Sequence, residues 1–467
     1  MFLLAAVAAL VAVSLTFAQT GASPTPAAAV DTVFARWTQA SPGCAVGVAR
    51  DGRIVLERAY GMADLERDAP NRADTIFEAG SVSKQFTAAA VLLLARDGRL
   101  SLDDPVRKYV PELPEYAAGT ITLRHLLTHT SGLRDWGELA GIAGWPRGRR
   151  VHTHAHVLEI VARQRALNFA PGTNWSYSNS GYNLSAIIVA RVSGQSFADF
   201  SRDRIFGPSG MARTSWRDDY TRIVKHRAIA YAPAAGGYRE DMPFENVHGN
   251  GGLLTTVGDL LRWNEHFSSP TIGDHQLVAA QQTPGRFNDG RAHEYAMGLY
   301  VRTYRGVREV SHSGSTAGYR AYLARYPEHR ASVAVLCNAA DANPTQYARA
   351  VAAAYLPTTF TGPVAAVGGT NGGAQTAAFT PADADIGGYL GRYRSDEAEV
   401  DLTVARERGE LVVKRRPDTV LRMRAVSRDV FAVPTLGTVT FHRTAGTVAE
   451  LSVKLERVWD LRFTRVP

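Results

Sequence analysis

The feature that most constrains the fold is a segment from residue 81 to about residue 96, which has a helical pattern and is apolar on nearly every side. A helix without a polar face cannot lie on a protein surface, so the pattern predicts a helix buried inside the protein. Gly98 follows at the position of a C-terminal cap. Other parts of the chain are therefore expected to cover this helix on all sides.

Strand patterns occur on both sides of this helix along the chain. Residues 45–49 and 54–60 precede it and flank Asp51-Gly52, a strong signal for a β-hairpin. Residues from about 100 to 300 are mainly helical in pattern, with long loops. Further strands are then expected near residues 297–303, 308–312, 320–326 and 332–337. A chain that leaves a sheet and returns to complete it indicates one domain of strands and helices with an inserted helical part.

The two ends of the chain differ in composition from its middle. Residues 1–18 form an apolar run that ends in small residues, which predicts a secretory signal peptide although no basic residue precedes the run. Residues 358–384, rich in Gly, Ala and Thr, are expected to link a main domain at 25–357 to residues 385–467. The last segment alternates polar and apolar residues between repeated turn signals, which predicts a small antiparallel β-barrel or sandwich.

Composition narrows the classes of function. The 467 residues are 45% hydrophobic and 21% charged, which is ordinary for a globular protein. The formal net charge is +8, but the basic residues are scattered, so no nucleic-acid partner is expected. No phosphate-binding glycine loop suggests a nucleotide cofactor, and after signal removal no segment is apolar enough to cross a membrane. We expect a periplasmic or secreted protein.

The two cysteines, Cys44 and Cys337, are too few for a disulfide scaffold. Both fall in predicted core strands. If those strands pair antiparallel, the two residues could be neighbours, and an exported protein could oxidise them. Two buried free thiols are an equally good interpretation.

Ser81 and Lys84 are the first pair of residues that suggest chemistry. At i and i+3 they share one face of the predicted helix, and Ser81 at its start would lie near backbone N–H groups and the positive end of the helix dipole. A buried lysine loses its charge readily, and the neutral amine can take the proton of a serine hydroxyl. The ordinary alternative is an N-cap serine beside an exposed lysine. The helix argues against this alternative because it is apolar on all sides and would bury Lys84, and a buried lysine without a partner is costly in free energy.

Two further short motifs carry candidate site residues. Tyr177 could relay protons, and the amide of Asn179 could hold both the lysine and the substrate. His312 and Gly314 lie at the end of a predicted strand, where Gly314 would let a substrate backbone approach closely. The backbone N–H of Ser315, with that of Ser81, could form an oxyanion hole. Each motif alone can also be explained by a purely structural role, such as a loop or a turn at the end of a strand.

A third group of polar residues resembles a zinc site and consists of His152, His154 and His156. A metallo-β-lactamase pattern needs an aspartate and another histidine in this run, so we interpret the three residues as an exposed cluster before a helix. No metal or other cofactor is expected. No Gly-x-Ser-x-Gly sequence surrounds any serine, which argues against an α/β-hydrolase.

Taken together and in this order, the three motifs that contain Ser81, Tyr177 and His312 resemble those of the serine β-lactamase and penicillin-binding DD-peptidase superfamily. The Tyr-x-Asn form is typical of class C β-lactamases and of related DD-peptidases, D-aminopeptidases and esterases. Residues 126–133 and 250–253 match as well. The resemblance covers about residues 25–357, and residues 388–393 are similar to the start of a lipocalin-like barrel found in some members.

The resemblance implies an α+β fold: a five-stranded antiparallel sheet flanked by helices, with an inserted helical subdomain. Its first and last strands pair, which would bring Cys44 towards Cys337. It also implies an acyl-enzyme on Ser81, with Lys84 and Tyr177 moving protons and water releasing the acid. A histidine at position 312, where many members have lysine, is seen in DD-peptidases and D-aminopeptidases, and its partial charge would make activity on anionic substrates depend on pH.

The expected function is therefore that of an exported serine hydrolase acting on D-amino-acid peptides or related amides and esters. Its partner is a small-molecule or peptide substrate, with cell-wall peptidoglycan as a larger candidate. A β-lactamase or a carboxylesterase of the same superfamily is the alternative within the enzymes. A binding protein that keeps the fold without the chemistry is the alternative outside them, and the completeness of the motif set argues against it.

Overall fold

A computed structural model describes residues 25–361 and 379–467, and its main sheet has six antiparallel strands. The order across the sheet is β3-β4-β5-β6-β1-β2, so the first strand in sequence pairs with the last one and the second strand pairs with the first. The resemblance implied five strands, one fewer than the main sheet of the structure has. The six strands are β1 (Cys44–Arg50), β2 (Arg53–Tyr60), β3 (Tyr300–Tyr304), β4 (Val307–Thr316), β5 (Tyr319–Tyr326) and β6 (Ala331–Cys337).

The hairpin predicted between β1 and β2 is confirmed. Asp51 and Gly52 have φ angles of 50° and 76°, as a two-residue turn between twisted antiparallel strands requires. Within the described residues, seven short strands belong neither to the main sheet nor to the C-terminal segment: Met62–Asp64, Ala69–Pro70, Phe77–Glu78, Ser215–Trp216, Tyr231–Ala234, Gly237–Glu240 and Leu253–Thr255.

Helices cover both faces of the main sheet. They are α1 (Pro26–Phe34), α2 (Lys84–Arg96), α3 (Leu123–Leu127), α4 (Trp136–Ile142), α5 (His154–Ala162), α6 (Asn179–Ser193), α7 (Phe197–Ser201), α8 (Val257–His266), α9 (His275–Gln281), α10 (Pro344–Tyr355) and, after the predicted linker, α11 (Asp383–Tyr389). Most of α3 to α9 belongs to the predicted helical insertion. None of the helices in the described residues has the length and apolar character that crossing a bilayer demands.

Strand β1 shows how the sheet forms two cores. Ala45 and Ala49 face the helices on one side, and Val46 and Val48 face α1 and α10 on the other. This alternation follows from the two-residue period of a strand. On the first side α8 packs so closely that a Cβ atom on Gly47 would lie 2.8 Å from a side-chain carbon of α8.

Helix α2 is buried, as its all-round apolar sequence predicted. Every residue from Lys84 to Leu94 is buried, and the helix packs against α6 and α9. The prediction erred at its start: Ser81 lies in a 3-10 turn over Gly80–Ser83, and the regular helix begins at Lys84.

Cys44 and Cys337 lie directly opposite each other in β1 and β6 and form a disulfide bond. The antiparallel pairing of these strands brings the two Cα atoms within 4.0 Å. Of the two interpretations left open by the sequence, the structure shows the disulfide.

The C-terminal segment is a nearly closed antiparallel barrel of nine strands in the order β10-β9-β8-β7-β15-β14-β13-β12-β11. Its strands are β7 (Gly391–Ser395), β8 (Val400–Glu407), β9 (Glu410–Arg415), β10 (Thr419–Arg422), β11 (Arg424–Ser427), β12 (Val430–Val433), β13 (Gly437–Thr444), β14 (Thr447–Lys454) and β15 (Leu461–Val466). Its core continues into the main domain through Leu139 and Ile142 of α4, so the barrel packs directly on that helix. The predicted signal peptide and most of the predicted linker lie outside the described residues.

Candidate active site

A short three-stranded sheet holds the turn that carries Ser81. Strand Phe77–Glu78 pairs with Leu253–Thr255, and the backbone N–H of Ala79 continues the pairing by donating to the carbonyl of Leu253 at 2.8 Å. In the turn itself, the Ser83 hydroxyl donates to the carbonyl of Gly80 at 2.5 Å. The backbone on both sides of Ser81 is thus held in place before any substrate binds.

Lys84 touches the candidate nucleophile. Its Nζ atom lies 3.1 Å from Oγ of Ser81, 2.9 Å from Oδ1 of Asn179 and 2.6 Å from the carbonyl oxygen of Asn250. All three partners are uncharged, and within the described residues Lys84 forms no ion pair. Burial lowers the pKa of Lys84 well below its usual 10.5, and the positive charges of Arg457 and Arg147 lower it further. A lysine in this setting holds a neutral amine that can accept a proton.

Tyr177 lies on the other side of the same lysine. Its ring centroid is 4.8 Å from Nζ of Lys84, and its hydroxyl is hydrogen-bonded with Ser81. Burial raises the pKa of Tyr177 above its usual value of 10.0, and the hydrogen bond with Ser81 opposes this effect only in part. Tyr177 is therefore a protonated phenol at neutral pH, placed to donate a proton near Ser81.

Asn179 is the first residue of α6, and an aspartate fixes its backbone. Oδ2 of Asp135 accepts a hydrogen bond from the N–H of Asn179 at 2.7 Å, while its other oxygen caps α4. This carboxylate also opposes the lowering of the pKa of Lys84. The sequence motifs did not identify Asp135, because its role depends on two helix starts that meet only in the fold.

Gly80 and Gly314 let the turn that carries Ser81 lie directly against strand β4. A Cβ atom on Gly314 would lie 2.0 Å from the carbonyl oxygen of Ala79 and 3.1 Å from the nitrogen of Ser81. Gly80 has a φ of 51°, and a Cβ atom there would lie 2.6 Å from the nitrogen of Ser315. Gly314 thus leaves room for the backbone of the turn that carries Ser81, whereas the sequence had suggested room for a substrate backbone. The predicted oxyanion amides of Ser81 and Ser315 belong to the two segments that meet here.

His312 is buried and uncharged, which corrects the expectation that its partial charge attracts anionic substrates. Its Nδ1 atom faces the carbonyl of Ser313 at 2.6 Å and so carries the proton, which leaves Nε2 to accept from the hydroxyl of Tyr295 at 3.1 Å. Burial, with the nearby charge of Lys84 as a smaller cause, lowers the pKa of His312 to about 3. It is neutral throughout the physiological pH range.

The predicted residues other than Lys84 line one cavity of about 750 Å³, and Lys84 lies behind Ser81. Four arginines line the same cavity, namely Arg147, Arg302, Arg320 and Arg457, against one acidic residue, Glu456. Three of these guanidiniums lie beside carboxylates: Arg147 pairs with Glu245, Arg302 with Glu294, and Arg457 lies 3.8 Å from Glu456. Within the described residues, Arg320 is the arginine of this cavity that no carboxylate pairs with. These arginines could not be predicted from the sequence, because their residue type alone does not distinguish them from the many arginines on the surface.

Arg457 comes from the barrel, in the loop between β14 and β15. Its guanidinium lies 4.9 Å from the ring centroid of Tyr177. The backbone of Arg457 is held by the main domain: its N–H donates to Glu138 at 2.9 Å, and its carbonyl accepts from the side chain of Asn168 at 3.0 Å. No sequence signal could have shown which loop of the second domain reaches the site.

The three histidines at the start of α5 do not converge on one point. Nε2 of His152 lies 3.1 Å from the carbonyl of Trp145, that of His154 lies 2.9 Å from the carbonyl of His248, and His156 completes a capping box with the N-cap residue of α5. His152 is buried, and His154 and His156 are partly buried, so the prediction of an exposed cluster was wrong. Within the described residues no group of three or more His, Cys, Asp or Glu side chains could hold a metal ion.

This arrangement can perform acyl transfer. The neutral amine of Lys84 can take the proton of Ser81 while the serine oxygen attacks a carbonyl carbon, and Tyr177 can supply a proton to the departing group. The fold and this centre define a serine hydrolase in which a lysine and a tyrosine move the protons. The family model described as Beta-lactamase matches residues 24–356, and the chain belongs to this family.

Known proteins similar in sequence include peptidases. The chain is 29% identical over 318 residues to a penicillin-binding protein of Bacillus subtilis, covering 65% of this chain and 69% of that protein. It is 31% identical over 329 residues to a D-aminopeptidase of Gluconobacter oxydans, covering 70% of this chain and 61% of that one. The chain thus spans less than two thirds of the length of this D-aminopeptidase.

Solved structures show the same fold. The octameric penicillin-binding protein homologue from Pyrococcus abyssi has a TM-score of 0.61 at 23% identity, covering 91% of this chain and 96% of that one. The D-amino acid amidase from Ochrobactrum anthropi SV3, complexed with L-phenylalanine amide, has a TM-score of 0.60 at 23% identity, covering 71% of this chain and 99% of the amidase.

Proposed function

We propose that the protein is an exported serine hydrolase that forms an acyl-enzyme on Ser81 and acts on peptides or amides of D-amino acids. The observation that carries the reaction type is the 3.1 Å contact between Oγ of Ser81 and Nζ of Lys84. Since burial favours the neutral amine, Lys84 is suited to activate the serine and not merely to pair with a charge.

The substrate class is supported by the relatives. A penicillin-binding protein and several D-aminopeptidases are about 30% identical to this chain, and a similar structure is that of a D-amino acid amidase. A small-molecule or peptide substrate is consistent with a cavity of about 750 Å³. Peptidoglycan is the larger partner that a D-amino-acid peptidase would meet outside the cytoplasm.

The charge of the cavity favours one end of such a peptide. Three of its four arginines are balanced by nearby carboxylates, which leaves the positive charge of Arg320 to attract a free carboxylate near the scissile bond. Arg320 is prominent among them because, within the described residues, no carboxylate pairs with it, and its guanidinium donates to the carbonyls of Ala317 and Tyr319. We therefore favour the DD-peptidase type of activity over the aminopeptidase type.

Export is proposed from two observations. The apolar first 18 residues have the pattern of a signal peptide, and Cys44 and Cys337 form a disulfide, a bond that is rare in the cytosol of most organisms. Fractionation of cells that produce the full chain tests this proposal directly. Recovery of the protein from the cytosol with its first 18 residues intact would contradict it.

A panel of matched substrates tests the proposed specificity. We would measure kcat/KM for an acetylated peptide ending in D-Ala-D-Ala, for its C-terminal amide, for D-alanine amide with a free amine, and for the corresponding L isomers. The proposal predicts the highest rate for the free acid of the D isomer and no hydrolysis by Ser81→Ala. Faster turnover of the free amine would favour an aminopeptidase. Rapid multiple turnover of penicillin, or ester hydrolysis without stereochemical preference, would favour the β-lactamase or carboxylesterase alternatives.

A further inference from the structure

A second, smaller cavity of about 300 Å³ adjoins the catalytic cavity and is called the second lobe below. The two spaces share Arg147, Ser315 and Thr316 as lining residues, so they adjoin along the strand end that follows the predicted oxyanion amide. A substrate held at Ser81 that extends past Ser315 would enter this lobe.

Asp241 supplies an unpaired carboxylate to the second lobe. Within the described residues its side chain forms no hydrogen bond and no ion pair. The other acids along the two cavities differ: Glu245 is paired with Arg147, and Glu456 lies 3.8 Å from a guanidinium nitrogen of Arg457. Asp241 is thus the acid of this cleft that is free to meet a ligand.

The backbone of Asp241 is fixed without a ligand. Its N–H donates to the carbonyl of Ala230 at 2.7 Å, and its carbonyl accepts from the N–H of Gly318 at 2.8 Å. Gly318 is itself so tightly packed that a Cβ atom there would lie 2.7 Å from the backbone of Tyr231. A carboxylate on a fixed backbone loses little conformational freedom when it binds a partner.

The rest of the lobe suits an apolar stem that ends in a positive charge. Met242, Pro243 and Phe244 follow Asp241 in its wall and provide apolar surface. Two arginines also line the lobe, but the charge of Arg147 is balanced by Glu245 and Arg150 is exposed to solvent, which screens its charge. The main cavity, in contrast, holds the guanidinium of Arg320, with which no carboxylate of the described residues pairs, so a substrate that carries both charges would be oriented by the two lobes.

We propose that this lobe binds an ammonium group of the substrate, carried on an aliphatic stem such as a lysine-like side chain, through the carboxylate of Asp241. The proposal rests on the proposed function, since it assumes that a peptide is bound at Ser81. The substrate would then carry two recognised charges. One is the free carboxylate already proposed near the scissile bond, and the other is a positive charge farther from that bond.

Two peptides that differ in one residue test the proposal. Both are acetylated at the N-terminus and end in D-Ala-D-Ala, and the preceding residue is either lysine or norleucine. We expect the wild type to have a kcat/KM about tenfold higher for the lysine peptide, as one charge-assisted hydrogen bond would give. In Asp241→Asn the ratio of the two rates should fall to about one, because only the lysine peptide carries the ammonium group.

Glu240→Gln is the matched control. Glu240 is the neighbouring residue, is exposed, and is not among the lining residues of the lobe, so its substitution removes the same charge without touching the proposed contact. This variant should keep the tenfold preference. Loss of the preference in both variants would show a general effect of net charge and would overturn the proposal.

Asp241 also acts on Arg320 through space: burial lowers the pKa of that guanidinium, and the charge of Asp241 opposes this lowering. If this were its role, Asp241→Asn would change the rates on both peptides equally, which would contradict a contact with the ammonium group. An unchanged lysine preference in Asp241→Asn would contradict it as well.

Failure of the proposed function gives a different result, namely no Ser81-dependent hydrolysis of either peptide. The lobe is then tested by calorimetric binding of the two peptides to Ser81→Ala, with and without Asp241→Asn. Tighter binding of the lysine peptide only when Asp241 is present would support the lobe. Equal binding of both peptides, or no binding of either, would overturn it.

Discussion

The guanidinium of Arg457 lies 4.9 Å from the ring centroid of Tyr177, so a loop of the C-terminal barrel forms part of the wall of the catalytic cavity. Hydrogen bonds to Glu138 and Asn168 hold this loop on the main domain. The barrel core also continues into α4 of the main domain. The two domains therefore build one site, and the barrel is not a separate appendage.

We predict that Arg457→Gln shifts the acidic limb of the kcat/KM–pH profile to higher pH. The limb reports protonation of Lys84, because only the neutral amine can take the proton of Ser81, so the rate falls as pH falls through the pKa of this lysine. The charge of Arg457 helps to keep that pKa low, and its removal favours the protonated, inactive form. The measurement is kcat/KM as a function of pH with a peptide substrate.

Arg462→Gln is the control for this profile. Arg462 lies on β15 of the same barrel, is paired with Asp460, and is not a lining residue of the cavity. Its substitution removes one positive charge from the barrel and should leave the limb in place. An acidic limb that does not move in Arg457→Gln would show that this arginine does not act on Lys84.

We predict that Gly314→Ala lowers kcat by about a hundredfold or more. The added methyl group would lie 2.0 Å from the carbonyl oxygen of Ala79, so strand β4 and the turn that carries Ser81 must move apart. The predicted oxyanion amides would separate with them. The measurement is kcat from steady-state kinetics, with a thermal melt to confirm that the variant is folded.

Gly387→Ala provides the comparison, since a Cβ atom there meets no atom within 4 Å. This variant should retain full activity. Full activity in Gly314→Ala as well would mean that the close contact between β4 and the turn is not needed for catalysis.

We predict that Cys44→Ala/Cys337→Ala lowers the free energy of unfolding by about 2–5 kcal/mol, as expected when a native disulfide is lost. Both cysteines pack in the core between the sheet and α1/α10, on the face away from the helix that carries Lys84. The value of kcat should therefore remain near that of the wild type. Denaturant unfolding and kinetics of the double variant make the test, and a loss of activity without a loss of stability would contradict this account.

Much of the frame followed from local sequence signals. The Asp51-Gly52 hairpin and the all-round apolar helix after Lys84 are decided by residue types within a few positions, and the structure confirms both. The pairing of Ser81 with Lys84 also follows from local spacing, because residues three apart share a face even when the first turn is 3-10.

Features that depend on distant packing were not predictable in the same way. The neutrality of His312 follows from its burial and from the nearby charge of Lys84, neither of which a histidine in a strand reveals. His152 was expected to be exposed, but the ring of Trp136 packs against it, with centroids 5.2 Å apart. Arg457 reaches the site only because the barrel docks on α4.

The central claim is that Ser81 is a nucleophile that forms an acyl-enzyme with the help of Lys84. The most direct measurement is an intact-mass time course of the mature protein with benzylpenicillin, a reactive acylating agent for enzymes of this family, with Ser81→Ala in parallel. The account predicts that the wild type gains the mass of the whole penicillin molecule, since ring opening releases no leaving group, and that Ser81→Ala gains none.

Lys84→Met serves as the matched variant in the same experiment, because it keeps most of the side-chain volume and removes the amine. It should acylate at least a thousandfold more slowly than the wild type. The lifetime of the wild-type adduct then separates a long-lived penicillin-binding peptidase from a β-lactamase that clears it. An adduct of equal yield on Ser81→Ala, or no adduct on the wild type under conditions in which it hydrolyses its peptide substrate, would contradict the account.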